Sequence, residues 1–164
     1  MLNNVIRAFD DNIELMIPDE FEEILPDQIK GRFKGNTPDV LYEHKTKKAM
    51  ITLTKSDSIV FSADVESRLS EYYIAYQRSV AGFANSKLAI KTLEGDRKIG
   101  TFHYTSTSID RDWLNFFVLL EVDGQEAVIT LHCFAEDSPL LGMKFMQVLN
   151  SIRYLQEVSI EKEQ

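Results

Sequence analysis

His132 and Cys133 stand side by side near the end of FFVLLEVDGQEAVITLHCF (116–134), and Cys133 is the only cysteine of the chain. A thiol beside an imidazole is the residue set of a nucleophile and its base. Whether the two can act together depends on the element that holds them. The stretch reads as two strands joined at Asp123-Gly124, a dipeptide that strongly favours a two-residue hairpin turn. With that turn Val122 pairs with Gln125. Leu114, Phe116, Val118 and Leu120 then share a face with Cys133, Leu131, Ile129 and Ala127. That face is wholly apolar, and a one-residue slip would mix it with the polar set. Strand alternation sends Cys133 to one side of the sheet and His132 to the other, so they cannot work as a pair. Cys133 is expected to be an inert, small hydrophobe.

The opposite face places Trp113 beside Phe134 and Asn115 beside His132. Trp113, Asn115, His132 and Phe134 form an aromatic pair next to two hydrogen-bonding groups, which can line a ligand pocket. The alternative is a face covered by a helix, with His132 hydrogen-bonded to Asn115. His103 falls opposite Val118, on the Cys133 face, if Asp110-Arg111 is a two-residue turn; a three-residue loop would leave it on the face of His132. In either case two strand spacings, about 10 Å, separate it from His132, too far for a shared metal ion. His44 is expected in a hairpin loop. Glu121 and Glu126 fall opposite each other and are expected at an exposed sheet end. The chain has no Gly-rich phosphate loop, no G-x-S-x-G, no H-E-x-x-H and no C-x-x-C. The expectation is a non-enzymatic protein with no catalytic residue, metal or cofactor.

The densest charge is Asp19, Glu20, Glu22 and Glu23 around Phe21, in a Pro-bounded stretch (18–33) that reads as loop with short helical turns. It is either a solvated face or a contact for a basic partner, in which Phe21 would be the apolar anchor. The formal net charge of −8 argues against nucleic acid and anionic membranes as partners. The start of the chain is not a secretory signal, and no apolar run reaches the roughly 18 residues of a membrane span. With a single cysteine no internal disulfide forms, which fits a reducing, cytoplasmic setting.

These residues must be held by a chain of 164 residues, 44% hydrophobic and 27% charged, the size of one domain. The pattern predicts one domain over 1–156 and a charged flexible tail over 157–164. Strands are expected at 13–17, 39–44, 48–55, 87–94, 97–109, 112–122 and 125–135. Val65, Leu69, Tyr72, Tyr73, Tyr76, Val80 and Phe83 recur at helical spacing within 62–83, as do Leu141, Phe145, Val148, Ile152 and Leu155 within 138–155. The tyrosine stripe is read as a packed face with its hydroxyls at the edge. A sheet apolar on both faces must be covered on both. The fold class is therefore α+β: an α-β-α sandwich with a central antiparallel sheet of about six strands flanked by two long helices.

A strand followed by Pro and an aromatic (IELMIPDEF), a long middle helix, a strand pair around Asp-Gly and a helix ending VLNSIRYL together resemble the PsbP-like superfamily, which includes Mog-type Ran-binding factors and bacterial DcrB-like proteins. The resemblance spans about residues 12–155 and rests on structural motifs. It implies a mostly non-enzymatic role in protein binding and assembly, with no catalytic motif to carry over. The expected function is a protein-interaction module, such as an accessory or immunity-type bacterial protein. The alternative is a small-ligand binder or unrecognised enzyme that uses the Trp113/His132 face.

Overall fold

A computed structural model describes residues 3–35 and 37–155; the tail expected over 157–164 lies outside them. The centre of the molecule is the hairpin of β8 (Asp112–Val122) and β9 (Gln125–Phe134). Asp123 and Gly124 both have positive φ, 53° and 77°, the backbone a type I′ turn requires. The pairing runs Val122 with Gln125, Leu114 with Cys133 and Asn115 with His132, as the alternation predicts.

Around this hairpin lie β3 (Phe21–Ile24), β4 (Val40–His44), β5 (Ala49–Ile59), β6 (Ala84–Leu93) and β7 (Arg97–Thr107). They make a seven-stranded sheet in the order β3-β4-β5-β9-β8-β7-β6, antiparallel throughout. A separate three-stranded sheet joins β1 (Asn3–Ala8), β2 (Ile13–Pro18) and β10 (Arg153–Tyr154). The expectation of about six strands is thus too low. β1 has no clean alternation, β3 is four residues of which two are glutamate, and β10 is two residues long, so none carries a strand signature. A one-turn helix, α1 (Pro26–Ile29), follows β3.

Helix α2 (Val65–Ser79) covers one face of the large sheet. Val65 and Leu69 pack on Phe102, Tyr104, Phe117 and Leu119, with Tyr72, Tyr73, Tyr76, Val80 and Phe83 closing the edges. The predicted stripe is therefore the packed face. The Tyr72 hydroxyl donates to Glu126, and the Tyr73 hydroxyl pairs with that of Ser86. The close approach of α2 to β7 needs Gly100, where a Cβ would sit 2.9 Å from a Leu69 methyl.

The other face is the larger core. Cys133, Leu131, Ile129, Val118 and Leu120 pack with Leu141, Phe145 and Val148 of α3 (Ser138–Ser151) and with Ile13, Leu15 and Ile17 of β2. Helix α3 ends four residues before its predicted end, and the chain then turns into β10. Among the described residues no helix is long and apolar enough to cross a membrane.

Phe21 is 3% exposed and packs edge-on against His44 and at 6.1 Å from Phe145. It is a core residue that ties the sheet edge to α3, so it cannot be the exposed anchor of a partner contact. Phe21→Ala is expected to lower unfolding stability by about 3–5 kcal/mol, read by chemical denaturation; a loss under about 1 kcal/mol would place the ring in solvent instead.

Candidate functional site

The four residues expected on one sheet face are there, and α2 does not cover them. Trp113 stacks edge-on against Phe134, with ring centroids 4.6 Å apart, and against His132 at 5.3 Å. The indole N–H donates to Ser108 Oγ at 3.1 Å. Asn115 is not the partner of His132: its amide N–H donates to Ser106 Oγ at 2.9 Å, toward β7. Among the described residues the His132 ring contacts Trp113 and makes no hydrogen bond. Burial holds its imidazole below the ordinary pKa, so it is neutral at physiological pH.

The constellation divides between two hollows. Trp113 and His132 line a cleft of about 310 Å³ together with Met50 and the β4–β5 turn. Phe134 belongs to a separate, shallower groove beside Asp110, Arg111 and Glu136. The cleft wall carries Arg32, Lys45, Lys47 and Lys48 against one carboxylate, Glu43. Sequence reasoning missed these cations because it did not follow β5 across to β9, where Met50 pairs with His132 and brings the turn over the ring. The signal was present as HKTKK (44–48) in an otherwise acidic chain.

His44 is no solvated loop residue. It ends β4, half-buried, and its Nδ1 accepts from the N–H groups of Thr46 (3.1 Å) and Lys47 (3.0 Å), which fixes the turn. Burial lowers its pKa, as it does that of His103. His103 pairs with Phe116 rather than Val118, because the β7–β8 connection is a four-residue loop, 108–111. The shift is by two residues and preserves parity, so His103 stays on the Cys133 face. Among the described residues no three His, Cys, Asp or Glu side chains converge as a metal site requires.

Glu121 and Glu126 do pair across the hairpin, but they are not exposed. Glu126 is 1% exposed, held by Tyr72 and by Arg68 Nε at 2.9 Å, while Glu121 takes Arg97 at 2.9 Å. Each buried carboxylate has its own cation, without which burial would be too costly. Glu126 and burial together push the Tyr72 phenol up to about 12, burial being the larger effect.

The acidic run spans the turn at Asp19 and Glu20 and the strand β3, the edge strand of the large sheet. Asp19, Glu22 and Glu23 are exposed, and Glu22 and Glu23 put charge on a short edge that would otherwise invite another strand. Glu20 turns inward and accepts from Lys144 of α3, which lowers its carboxyl pKa.

Lys144 is the only charged residue of α3. With it turned inward, the outward face of the helix is uncharged: Met143 is 65% exposed, Leu140 55% and Met146 45%. The buried stripe of this helix is legible from its periodicity; the outer one is signalled only by composition, since SPLLGMKFMQVLNSI has a single charge in fifteen residues.

No known protein-family model and no curated protein matches the chain. Solved structures do. A Pseudomonas aeruginosa protein of unknown function, PA94, described as a putative regulator, superposes with a TM-score of 0.58 at 14% identity, covering 92% of this chain and 96% of that one. LpqN of Mycobacterium tuberculosis, described as involved in cell envelope biogenesis, gives 0.59 at 11% identity, with 94% and 91% covered. Cyanobacterial PsbP of Synechocystis gives 0.54 at 14% identity, with 93% and 92% covered. The chain therefore has a PsbP-like fold of mixed α and β structure.

Two outcomes follow from this geometry. Burial pushes the Cys133 thiol up to about 11, so a thiol reagent is expected to label the native protein far more slowly than the unfolded one; equal rates would put the thiol in solvent. The Glu20–Lys144 pair stabilises the fold while Glu20 is ionised. Because the folded-state pKa is lowered, that contribution is complete above the ordinary value of 4.5 and fades as pH falls through the lowered one. Glu20→Gln is expected to cost about 1–3 kcal/mol at pH 7, with the difference from wild type shrinking in acid; a pH-independent difference in paired melting curves would dissociate the carboxylate from the effect.

Proposed function

We propose that the chain is a non-enzymatic protein-interaction module, of an accessory or immunity-type bacterial kind, that docks another protein on the outward face of α3. One observation carries this reading: in a protein that is 27% charged, a solvent-facing helix presents Leu140, Met143 and Met146 with no charge among them. Exposed apolar patches rimmed by polar groups mark interaction sites. Methionine is favoured at interface cores because its flexible thioether adapts to the opposing surface.

The rim supplies the charge preference. The turn before β3 and the start of that strand lie beside α3 through the Glu20–Lys144 and Phe21–Phe145 contacts, and the exposed Asp19, Glu22 and Glu23 of this stretch favour a partner with basic groups around an apolar centre. The anchor role expected of Phe21 passes to Leu140 and Met143, while the acidic residues keep the part of steering association. We read the architecture as an α-β-α sandwich in which α3, together with the three-stranded sheet, forms the second outer layer. PA94, described as a putative regulator, and LpqN, described as acting in envelope biogenesis, are similar in fold only.

The test is affinity capture from a native lysate with three baits in parallel: wild type, Leu140→Lys/Met143→Lys, and Glu22→Lys/Glu23→Lys. Surface changes of this kind are expected to move stability by no more than about 0.5 kcal/mol. Proteins held by wild type should be lost from the α3 variant. They should associate more slowly with the charge-reversed one. A captured set identical for wild type and the α3 variant would remove α3 as the docking face.

A further inference from the structure

The Trp113/His132 cleft opens on the sheet face opposite α3, and its composition differs from that of the rest of the surface. The whole chain carries 26 acidic and 18 basic residues, yet four cations and one carboxylate line this hollow. Two of the cations are engaged: Arg32 Nη1 donates to Glu43 Oε1 at 3.1 Å, and Lys47 pairs with Asp137 at 3.2 Å. Lys45 and Lys48 form no ion pair among the described residues. Their turn is fixed by His44, whose Nδ1 holds the N–H groups of Thr46 and Lys47, so the two lysines extend from a preorganised base. The floor is apolar and aromatic: Met50 pairs with His132 across β5–β9, and the edge of Trp113 closes it.

Each feature selects part of a ligand. Two ammonium groups with no ion-pair partner among the described residues attract an anion, a pull that added salt weakens at this exposed rim. Trp113 and Met50 favour a flat apolar body. The neutral His132 ring has hydrogen-bonding capacity that no described protein group uses. A volume of about 310 Å³ is at the small end of ligand sites and admits a ring with one substituent rather than a polymer.

We propose that this cleft binds a small organic anion, an aromatic or similarly flat apolar body carrying one carboxylate or phosphate, with the body against Trp113 and Met50 and the anionic group on Lys45 and Lys48. No residue of α3 lines the cleft, so the two readings are tested by different variants.

Trp113 is the only tryptophan of the chain, so indole fluorescence of the full-length protein reports on the cleft directly. The probes are phenyl phosphate and hydrocinnamate, with inorganic phosphate and phenol as fragments that each carry half of the recognised chemistry. Titration is expected to give a saturable one-to-one change with at least one of the two-part probes, binding about tenfold or more tighter than either fragment. Lys45→Gln/Lys48→Gln should weaken it about tenfold with an unchanged melting temperature, since both side chains are exposed. Trp113→Phe, followed by calorimetry, should weaken it several-fold, and Lys91→Gln on the far edge strand should leave it unchanged. Three results would each overturn the proposal: no saturable response to either two-part probe in the millimolar range, equal affinity for inorganic phosphate and phenyl phosphate, or full affinity in the double lysine variant.

Discussion

The strict alternation of the β8–β9 hairpin is the constraint on which the rest of the molecule depends. Once Asp123-Gly124 fixes the register, every second residue of two central strands is committed to one face, and both faces are apolar. A sheet of that kind has to be covered twice. α2 supplies one cover and α3 with β2 the other. A helix is about 10 Å across and spans about two strand spacings. Accordingly α2 sits over β7 and β8, and the β5–β9 side of the same face is left without a helix. The cleft at Trp113 and His132 follows from this mismatch between one helix and a seven-stranded sheet.

Much of this was legible because two apolar faces tolerate no slip. The hairpin pairs, the burial of Cys133 and the packed tyrosine stripe all come from periodicity alone. His103 shows how robust face assignment is: the β7–β8 loop is two residues longer than a tight turn, yet parity survives and the residue stays on its face. What failed was whatever tertiary partners decide. Glu126 is read as exposed from its place beside a turn, but Arg68 and Tyr72 arrive from α2 to neutralise it. Phe21 sits in a charged stretch that suggests a loop, whereas pairing with His44 makes it an edge strand with its ring in the core. The cationic wall of the cleft was spelled out in residues 44–48, but its position over His132 depends on β5 crossing to β9, a pairing between segments about eighty residues apart in the chain.

The two sites proposed above would lie on opposite faces of one sheet. On the α3 side the site would be an exposed, uncharged helix face. On the other it is a small concave hollow with cations on its rim. Neither uses the Glu126–Arg68–Tyr72 cluster, in which the buried Glu126 joins α2 to the end of the hairpin.

The separation of inner and outer stripes on α3 has an evolutionary consequence. Leu141, Phe145 and Val148 hold the fold, while Leu140, Met143 and Met146 contribute little to it, and the two sets share no residue. Substitutions can accumulate on the outer stripe without drawing on the stability margin, so the docking preference proposed for it could drift among descendants while the scaffold is inherited intact. A helix whose functional residues also filled the core would have no such freedom, since each change of specificity would have to be matched by a compensating change beneath it.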